Sequence, residues 1–346
     1  AIFDQESLEA EIAKVMQMKH LYSYNLQDIH DYVMALPDDY WSLSKSTYTK
    51  WVRVGWALKN TNPLLFPFWV KMSAQAAGFT FLSVPDMQQK WNRAETSTTP
   101  LTYKSIRYWC QQDNPEEAAK IKERSVDMFI ERISQTDIND TDTTEVLYMM
   151  YCSNFVCASI KLQEWYEFKD HKWKRSDSAT TLRNFISTTM WSKFEKQNNA
   201  IAMQIANSGD DDDTKALTDQ LKWFKEISHR LKQTSFKANI MKEASHRFKD
   251  DEFLANLDQN VNLLCFKNGV VDFSTKEFRK GRPDDYCSLC TNTNYNPINR
   301  TNADECKILA EIEEFFSQLF PDPELREYIW EHLASTLIGT IRHQVI

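Results

Sequence analysis

The stretch Glu164-Trp165-Tyr166-Glu167-Phe168-Lys169-Asp170-His171-Lys172-Trp173-Lys174-Arg175 decides the fold class of this chain. Two runs of aromatic and charged residues flank a polar Lys169-Asp170-His171 turn, a pattern that is typical of a β-hairpin. A second β signal covers residues 262–293, where Asn268-Gly269 is a hairpin-turn dipeptide. Because most other segments show helical periodicity, the sequence predicts an α+β fold that is predominantly α-helical.

Helix-start signals set the predicted organisation of the chain. Asn62-Pro63, Thr102 and Asn114-Pro115 each precede a helical pattern as an N-cap or a first-turn proline. A polar stretch at 136–142 is the best linker candidate. The sequence predicts a helical module at 1–135, an α+β domain with small antiparallel hairpins at 143–300, and a helical segment at 301–346. Within these parts we expect helices at 214–232, 235–248, 303–319 and 323–338.

Length and glycine content exclude several classes of protein. A chain of 346 residues has room for about two domains and for an ordinary hydrophobic core. Only six residues are glycine, and none of them forms G-x-G-x-x-G or precedes a lysine. The chain therefore contains neither a dinucleotide-binding fingerprint nor a P-loop.

The cysteines and the apolar runs bear on the cellular environment. Seven scattered cysteines do not form a disulfide framework and are typical of a reducing compartment. The longest apolar runs, such as 64–70, are far shorter than the ~20 residues that cross a bilayer. We therefore expect no membrane partner.

The net charge of −8 is distributed unevenly. Residues 215–249 carry nine Lys/Arg against three Asp/Glu, whereas residues 301–340 carry two against nine. A local basic block permits nucleic-acid binding even in an acidic chain. Its cations recur at helical spacing, which leaves two interpretations open: a solvated helix face, or a surface that follows phosphates.

The 164–175 hairpin offers a second basic site, because lysines beside tryptophans suit single strands. The predicted nucleic-acid-binding residues are Lys222, Lys225, Lys232, Lys237 and Lys242 in the basic block, and Lys172, Trp173, Lys174 and Arg175 in the hairpin.

Catalytic and metal-binding signals are weak. Cys287-Ser288-Leu289-Cys290 has metal-ligand spacing but no second pair, so we predict reduced cysteines without a metal. His171 is predicted to be a turn residue or an orienting polar contact. The four aspartates at 210–213 follow Asn-Ser-Gly, which favours a solvated acidic loop over a metal site. We predict no catalytic residue in this chain.

Several blocks resemble a known viral family. The segment 165–173 and the block 266–286 are similar to the central region of the primase–helicases of poxvirus-like, asfarvirus-like and other nucleocytoplasmic large DNA viruses. Residues 40–112 resemble the small helical module that follows primase domains. The residues that carry the resemblance are Trp165, Tyr166, Phe168, His171, Trp173, Asn268, Gly269, Asp272, Arg282, Pro283, Asp285 and Tyr286.

The resemblance implies a role for the chain. It implies a primase domain before Ala1 and a superfamily 3 AAA+ helicase domain after a strand at 342–346, which makes this chain an internal segment. ATP and Mg²⁺ are then implied for the complete protein, with none of their ligands in this chain. The implied partners are single-stranded or forked DNA and further copies in a ring, a hexamer in related helicases. Viral replication sites in the host cytoplasm are the implied location.

The sequence therefore predicts the middle region of a viral replicative primase–helicase, which links primase to motor, supports the ring and guides DNA. Two alternatives stay open. One is an oligomerisation collar without DNA contact. The other is a stand-alone nuclease, against which the missing metal constellation argues.

Overall fold

The computed structural model describes residues 2–18, 26–42, 44–45, 47–93, 101–207 and 212–338. The chain divides into two compact units, Ala1–Arg132 and Ile133–Ile346. The described residues are mostly helical and contain two antiparallel sheets of three strands each. The predicted fold class, α+β and predominantly α-helical, is confirmed. The division of the chain into three parts stays a prediction.

The first unit is helical throughout its described residues. Two of the predicted helix starts form as expected: the Thr102 side chain accepts from Lys104 N–H, and Asn62 Oδ1 accepts from Leu64 N–H. Asn62 caps a short 3-10 turn that precedes the next α-helix. The helices are α1 (Gln5–Gln17), α2 (Leu26–Met34), α3 (Tyr48–Thr61), α4 (Phe66–Ser73), α5 (Val84–Arg93), α6 (Tyr103–Asp113) and α7 (Pro115–Ile133).

Stacked tryptophans form part of the core of the first unit. The rings of Trp51 and Trp69 lie 4.4 Å apart, and Trp69 is also 5.9 Å from Trp91. Gly55 permits this packing because a Cβ there would lie 2.7 Å from the Trp69 ring. The indole of Trp51 donates to Ser73 Oγ at 2.8 Å, so its polar edge is satisfied inside the unit.

The second unit combines helices with both sheets. Its first sheet has the order β1-β2-β3 and its second the order β4-β5-β6. The helices are α8 (Asp140–Tyr151), α9 (Thr180–Phe185), α10 (Trp191–Asn207), α11 (Asp212–Lys232), α12 (Thr234–Arg247), α13 (Phe253–Asn256), α14 (Ala303–Leu319) and α15 (Pro323–Ser335). The strands are β1 (Phe155–Ser159), β2 (Glu164–Lys169), β3 (Lys172–Asp177), β4 (Leu263–Phe266), β5 (Gly269–Asp272) and β6 (Glu277–Arg279).

The predicted hairpin at 164–175 is confirmed as β2 and β3, and β1, which the sequence did not predict, pairs with β2. The second β region is shorter than expected, because β6 ends at Arg279. Beyond it, Pro283–Asp285 forms a 3-10 turn, and 286–293 makes isolated backbone bonds such as Thr291 N–H to Cys265 O. The prediction of strands up to residue 293 is therefore wrong.

Helices α9 and α10 are joined by a π-helical turn at Ile186–Met190. Helix α10 packs against α11, and α12 packs against α8. These contacts bury Phe194, Phe224 and Ile240, among others, in the core of the second unit.

Helices α14 and α15 match the predicted positions and contain no buried residue. They contact each other, and the rings of Phe316 and Trp330 stack at 4.2 Å. No helix in the described ranges combines the length and the apolar character needed to cross a membrane.

Candidate nucleic-acid interface

The turn between β2 and β3 has a left-handed backbone. Asp170 and His171 have φ angles of 52° and 65°, and Lys169 pairs with Lys172 across the turn. Positive φ at both central residues is what a two-residue type I′ hairpin requires, and Asp and His tolerate this conformation better than most residues. The turn thus places the His171 ring at the end of the hairpin.

His171 joins the hairpin to the segment after β6. Its Nδ1 accepts from the backbone N–H of Gly281 at 3.1 Å. A Cβ on Gly281 would lie 2.5 Å from the His171 carbonyl oxygen, so only glycine permits this approach. The prediction of His171 as a turn residue and orienting contact agrees with this geometry.

Trp173 lies in the core rather than on the surface. It is 3% exposed, and its ring packs edge-on against Phe168 and Phe253. Its indole N–H donates to Pro283 O at 2.7 Å, and its backbone N–H donates to Cys287 O at 2.7 Å. Trp173 therefore cannot stack on a base in this structure, which corrects its assignment to the basic-aromatic site. Trp165 is also fully buried.

A buried ion pair fixes the 279–285 loop. The Arg279 guanidinium donates to both carboxylate oxygens of Asp285 at 2.8 Å each, and to Asp272 Oδ2 at 3.3 Å. The side chains of Arg279 and Asp285 are only 17% and 6% exposed. The hydrogen bond to Asp285 raises the pKa of Arg279, and Arg282 N–H also donates to Asp285 Oδ2. A two-point, desolvated pair of this kind fixes geometry more strongly than a surface ion pair.

The Asn268-Gly269 dipeptide is displaced by one residue from the predicted turn. Lys267 and Asn268 occupy the turn, and Gly269 is the first residue of β5, with no positive φ at any of the three. A Cβ on Gly269 would lie 2.5 Å from Arg279 O, so this glycine serves the close approach of β6. The Asn268 side chain exchanges two 2.8 Å hydrogen bonds with the Tyr295 backbone.

Two tyrosines that carry the resemblance also pack against buried residues of the second unit. Tyr166 and Tyr286 both pack against the Phe253 ring, at 5.0 and 5.9 Å. Together, the residues that carry the resemblance hold the two sheets and their loops in place.

The basic block lies on α11 and α12. Lys222, Lys225 and Lys232 fall within about 80° around α11, as the sequence predicts for one face. Lys222 pairs with Asp219 at 2.9 Å, whereas Lys225 is exposed and has no partner among the described residues.

Lys232 is directed toward α10. Its Nζ donates to Ser187 O at 2.6 Å and lies 3.7 Å from the centre of the Trp191 ring. Lys237 and Lys242 lie five residues apart on α12, which separates them by about 140° around the helix. The five lysines therefore do not form one continuous face.

The hairpin cations are mostly engaged. Lys174 pairs with Asp170 at 2.6 Å, Arg175 pairs with Glu164 at 3.3 Å, and Lys172 is half-buried. The hairpin thus offers less free positive charge than the sequence predicts.

The cysteines lie in apolar surroundings. Cys265 and Cys287 are buried beside Val270, and Cys290 packs against them. Burial raises the pKa of Cys287 to about 12. Within the described ranges, no group of three or more His, Cys, Asp or Glu residues is arranged to hold a metal ion. Of the predicted acidic loop, Asp210 and Asp211 lie outside the described residues, as does the strand predicted at 342–346.

Comparison with known proteins shows the family. A family model described as D5 N terminal like matches residues 144–321, which is more than half of the chain. The chain belongs to the D5 N terminal like family. A second model, described as Primase C terminal 2 (PriCT-2), matches residues 29–110. The D5 N terminal like match covers both sheets and the basic block, and the PriCT-2 match lies within the first unit.

The relatives are helicase-named proteins of large DNA viruses. The chain is 29% identical to L207/L206 of Acanthamoeba polyphaga mimivirus over 86% of its own length, and 22% identical to 184R of Invertebrate iridescent virus 6 over 74%. It is 25% identical to 022R of Frog virus 3 over 69%. The matches cover about 30% of each relative. They confirm the resemblance to the central region of viral primase–helicases.

Proposed function

We propose that this chain is the middle region of a viral replicative primase–helicase, where it links primase to motor, supports ring assembly and guides DNA. The observation that carries the proposal is the order of the two family matches, PriCT-2 at 29–110 and D5 N terminal like at 144–321, in one chain. ATP and Mg²⁺ act elsewhere in the complete protein, which works at viral replication sites in the host cytoplasm.

The DNA-guiding role is supported by accessible positive charge in the D5 N terminal like region. Lys225 and Lys242 are exposed and have no partner among the described residues. Such cations contact phosphates of any sequence, which is the mode of binding that a moving helicase needs.

The assembly role is supported by α14 and α15. Ile308, Ile312, Phe315 and Leu319 follow one another at helical spacing along α14, and each is at least 41% exposed. An apolar stripe of this kind fits an interface between copies, and a head-to-tail contact between identical copies forms a ring when the rotation between neighbours closes.

One alternative is a collar that assembles without touching DNA, which the exposed stripe alone would also serve. A stand-alone nuclease is less well supported, since the described residues bring together no metal-holding group.

Strand separation by the complete protein tests the proposal. A forked duplex labelled on one strand is incubated with the complete protein, with and without ATP. We expect ATP-dependent release of the labelled strand by the complete protein and none by this chain alone. Absence of release by the assembled complete protein would contradict the proposal.

A further inference from the structure

Two segments of the second unit lack acidic residues. Asp and Glu make up 49 of the 346 residues, about one in seven. Residues 178–194 contain none and include the cations Arg183 and Lys193, and residues 227–242 also contain none. The cations of the second segment are Arg230, Lys232, Lys237 and Lys242.

The fold brings these two segments into direct contact. Lys232 Nζ donates to Ser187 O in the π-helical turn, and Arg183 Nη2 donates to Thr234 O at 3.4 Å. Lys237 follows Thr234 by three residues and therefore lies on the same side of α12. The junction thus gathers Arg183, Lys232 and Lys237 around the start of α12.

No carboxylate neutralises these three cations. Arg183, Lys232 and Lys237 form no ion pair with any residue in the part of the chain that the structure describes. The neighbouring Arg230, by contrast, is paired with Glu226 at 2.7 Å. The positive charge of the junction is therefore available to a ligand.

The two segments that meet at the junction also carry exposed hydroxyl side chains. Thr188, Thr189, Thr234 and Ser235 are all exposed at the junction. Protein contacts to DNA phosphates come mainly from Arg and Lys side chains, from Ser and Thr hydroxyls and from backbone N–H groups. The π-helical turn is a rare element that occurs frequently at functional sites.

We propose that this junction surface, defined by Arg183, Lys232, Lys237, Thr188 and Thr234, binds the phosphodiester backbone of DNA. The inference rests on the proposed function and assigns a DNA contact to this junction, in addition to the exposed Lys225 and Lys242. Because phosphate contacts are the same for every base, the site has no sequence preference.

The test is the double variant Arg183→Gln/Lys237→Gln in the full 346-residue chain. Its control is Lys161→Gln/Lys276→Gln, which removes the same charge from exposed positions away from the junction. Lys232 is retained because its ammonium holds α11 to the π-helical turn. Equal thermal unfolding midpoints establish that all three chains are folded.

Fluorescence anisotropy with labelled single-stranded and double-stranded DNA at several salt concentrations gives the readout. For single strands, each lost phosphate contact lowers the log–log salt slope by about 0.7, so the double variant should lose about 1.4. For duplex DNA the salt slope of the double variant should fall by about 1.8. The form of DNA that the unmutated chain binds with the higher affinity is the preferred ligand. The single variant Lys237→Gln, which leaves the Arg183–Thr234 contact intact, should lower the salt slope by half as much as the double variant.

An unchanged slope in the double variant, with binding by the unmutated chain intact, overturns this inference and leaves the proposed function standing. An equal loss in the control variant also overturns it. Failure of the unmutated chain to bind either DNA at low salt overturns both the inference and the DNA-guiding role.

Discussion

His171, Trp173 and Asp285 show how single residues of the family pattern act in this fold. His171 and Trp173 each bond a backbone group far away in the sequence: His171 and Gly281 are 110 residues apart, as are Trp173 and Pro283. Asp285 instead accepts from the nearby Arg279 and Arg282. The sequence marks His171 and Trp173 but cannot identify their partners, because local patterns carry no information about contacts at such separation. Their assignment as scaffold residues therefore needed the structure.

The Arg279–Asp285 pair gives a prediction for stability. Asp285→Asn should lower the free energy of unfolding by about 3 kcal/mol, because it leaves a largely buried guanidinium without its two-point charged partner. Asp272→Asn is the matched control, since Asp272 makes a single 3.3 Å contact with the same arginine, and it should cost about 1 kcal/mol. Urea denaturation measures both. Equal costs would show that the Arg279–Asp285 pair does not fix the loop.

Cysteine reactivity provides a second prediction at this scale. Burial raises the pKa of Cys110 to about 11 and of Cys287 to about 12, so both remain thiols at neutral pH. Because the thiolate is the nucleophile, iodoacetamide should modify the half-buried Cys152 and Cys306 well before these two. Mass spectrometry of the peptides after timed alkylation measures the order. The denatured chain, in which all cysteines should react alike, is the control.

At the scale of the element, helices were easier to predict than strands and turns. Helices α11, α12, α14 and α15 match their predicted ranges because caps and periodicity are local signals. Strand β1 was missed, since its pairing with β2 is a tertiary contact. The turn lies at 267–268, one residue earlier than predicted. Gly269 is needed because β6 approaches its backbone closely, and not because its own backbone is left-handed.

The candidate interface was only partly predictable for the same reason. Sequence spacing identified Lys232 and Lys237 but grouped them with Lys222, Lys225 and Lys242 on one surface. The structure instead places Lys232 beside the π-helical turn, which no sequence signal revealed. The absence of acidic residues in 178–194 and 227–242 is a signal that could have located the junction.

The apolar stripe of α14 gives a prediction for assembly. Ile312→Asp/Phe315→Asp should shift the chain toward monomer without loss of helix, because both side chains are exposed. Ala310→Asp/Gln318→Asp, which adds the same charge at exposed positions outside the stripe, should leave the distribution unchanged. Mass photometry at low salt measures the populations. A monomeric unmutated chain at micromolar concentration would contradict self-association through this region.

At the scale of the whole molecule, the two units correspond to two different family matches in one chain. The PriCT-2 match lies in Ala1–Arg132, and the D5 N terminal like match lies in Ile133–Ile346. The predicted polar linker at 136–142 lies after the boundary between the units, but its last three residues begin α8. The division of the chain into three parts stays a prediction. The chain thus carries two family matches, and its sequence contains no P-loop.

This organisation predicts that the chain alone hydrolyses no ATP. A P-loop needs glycines to bring backbone N–H groups around the phosphates, and the six glycines here are dispersed. Phosphate release from ATP, measured with and without single-stranded DNA, should match a mock preparation. Steady, nucleotide-specific turnover by the purified chain is the outcome that this prediction forbids.

Binding of the unmutated chain to labelled single-stranded DNA, followed by fluorescence anisotropy across a salt series, tests the central claim most directly. We expect saturable binding whose affinity does not depend on the base sequence. With at least three phosphate contacts, the log–log salt slope should be about −2 or steeper. Absence of binding at low salt, or an affinity that does not change with salt, would contradict the claim that this region guides DNA.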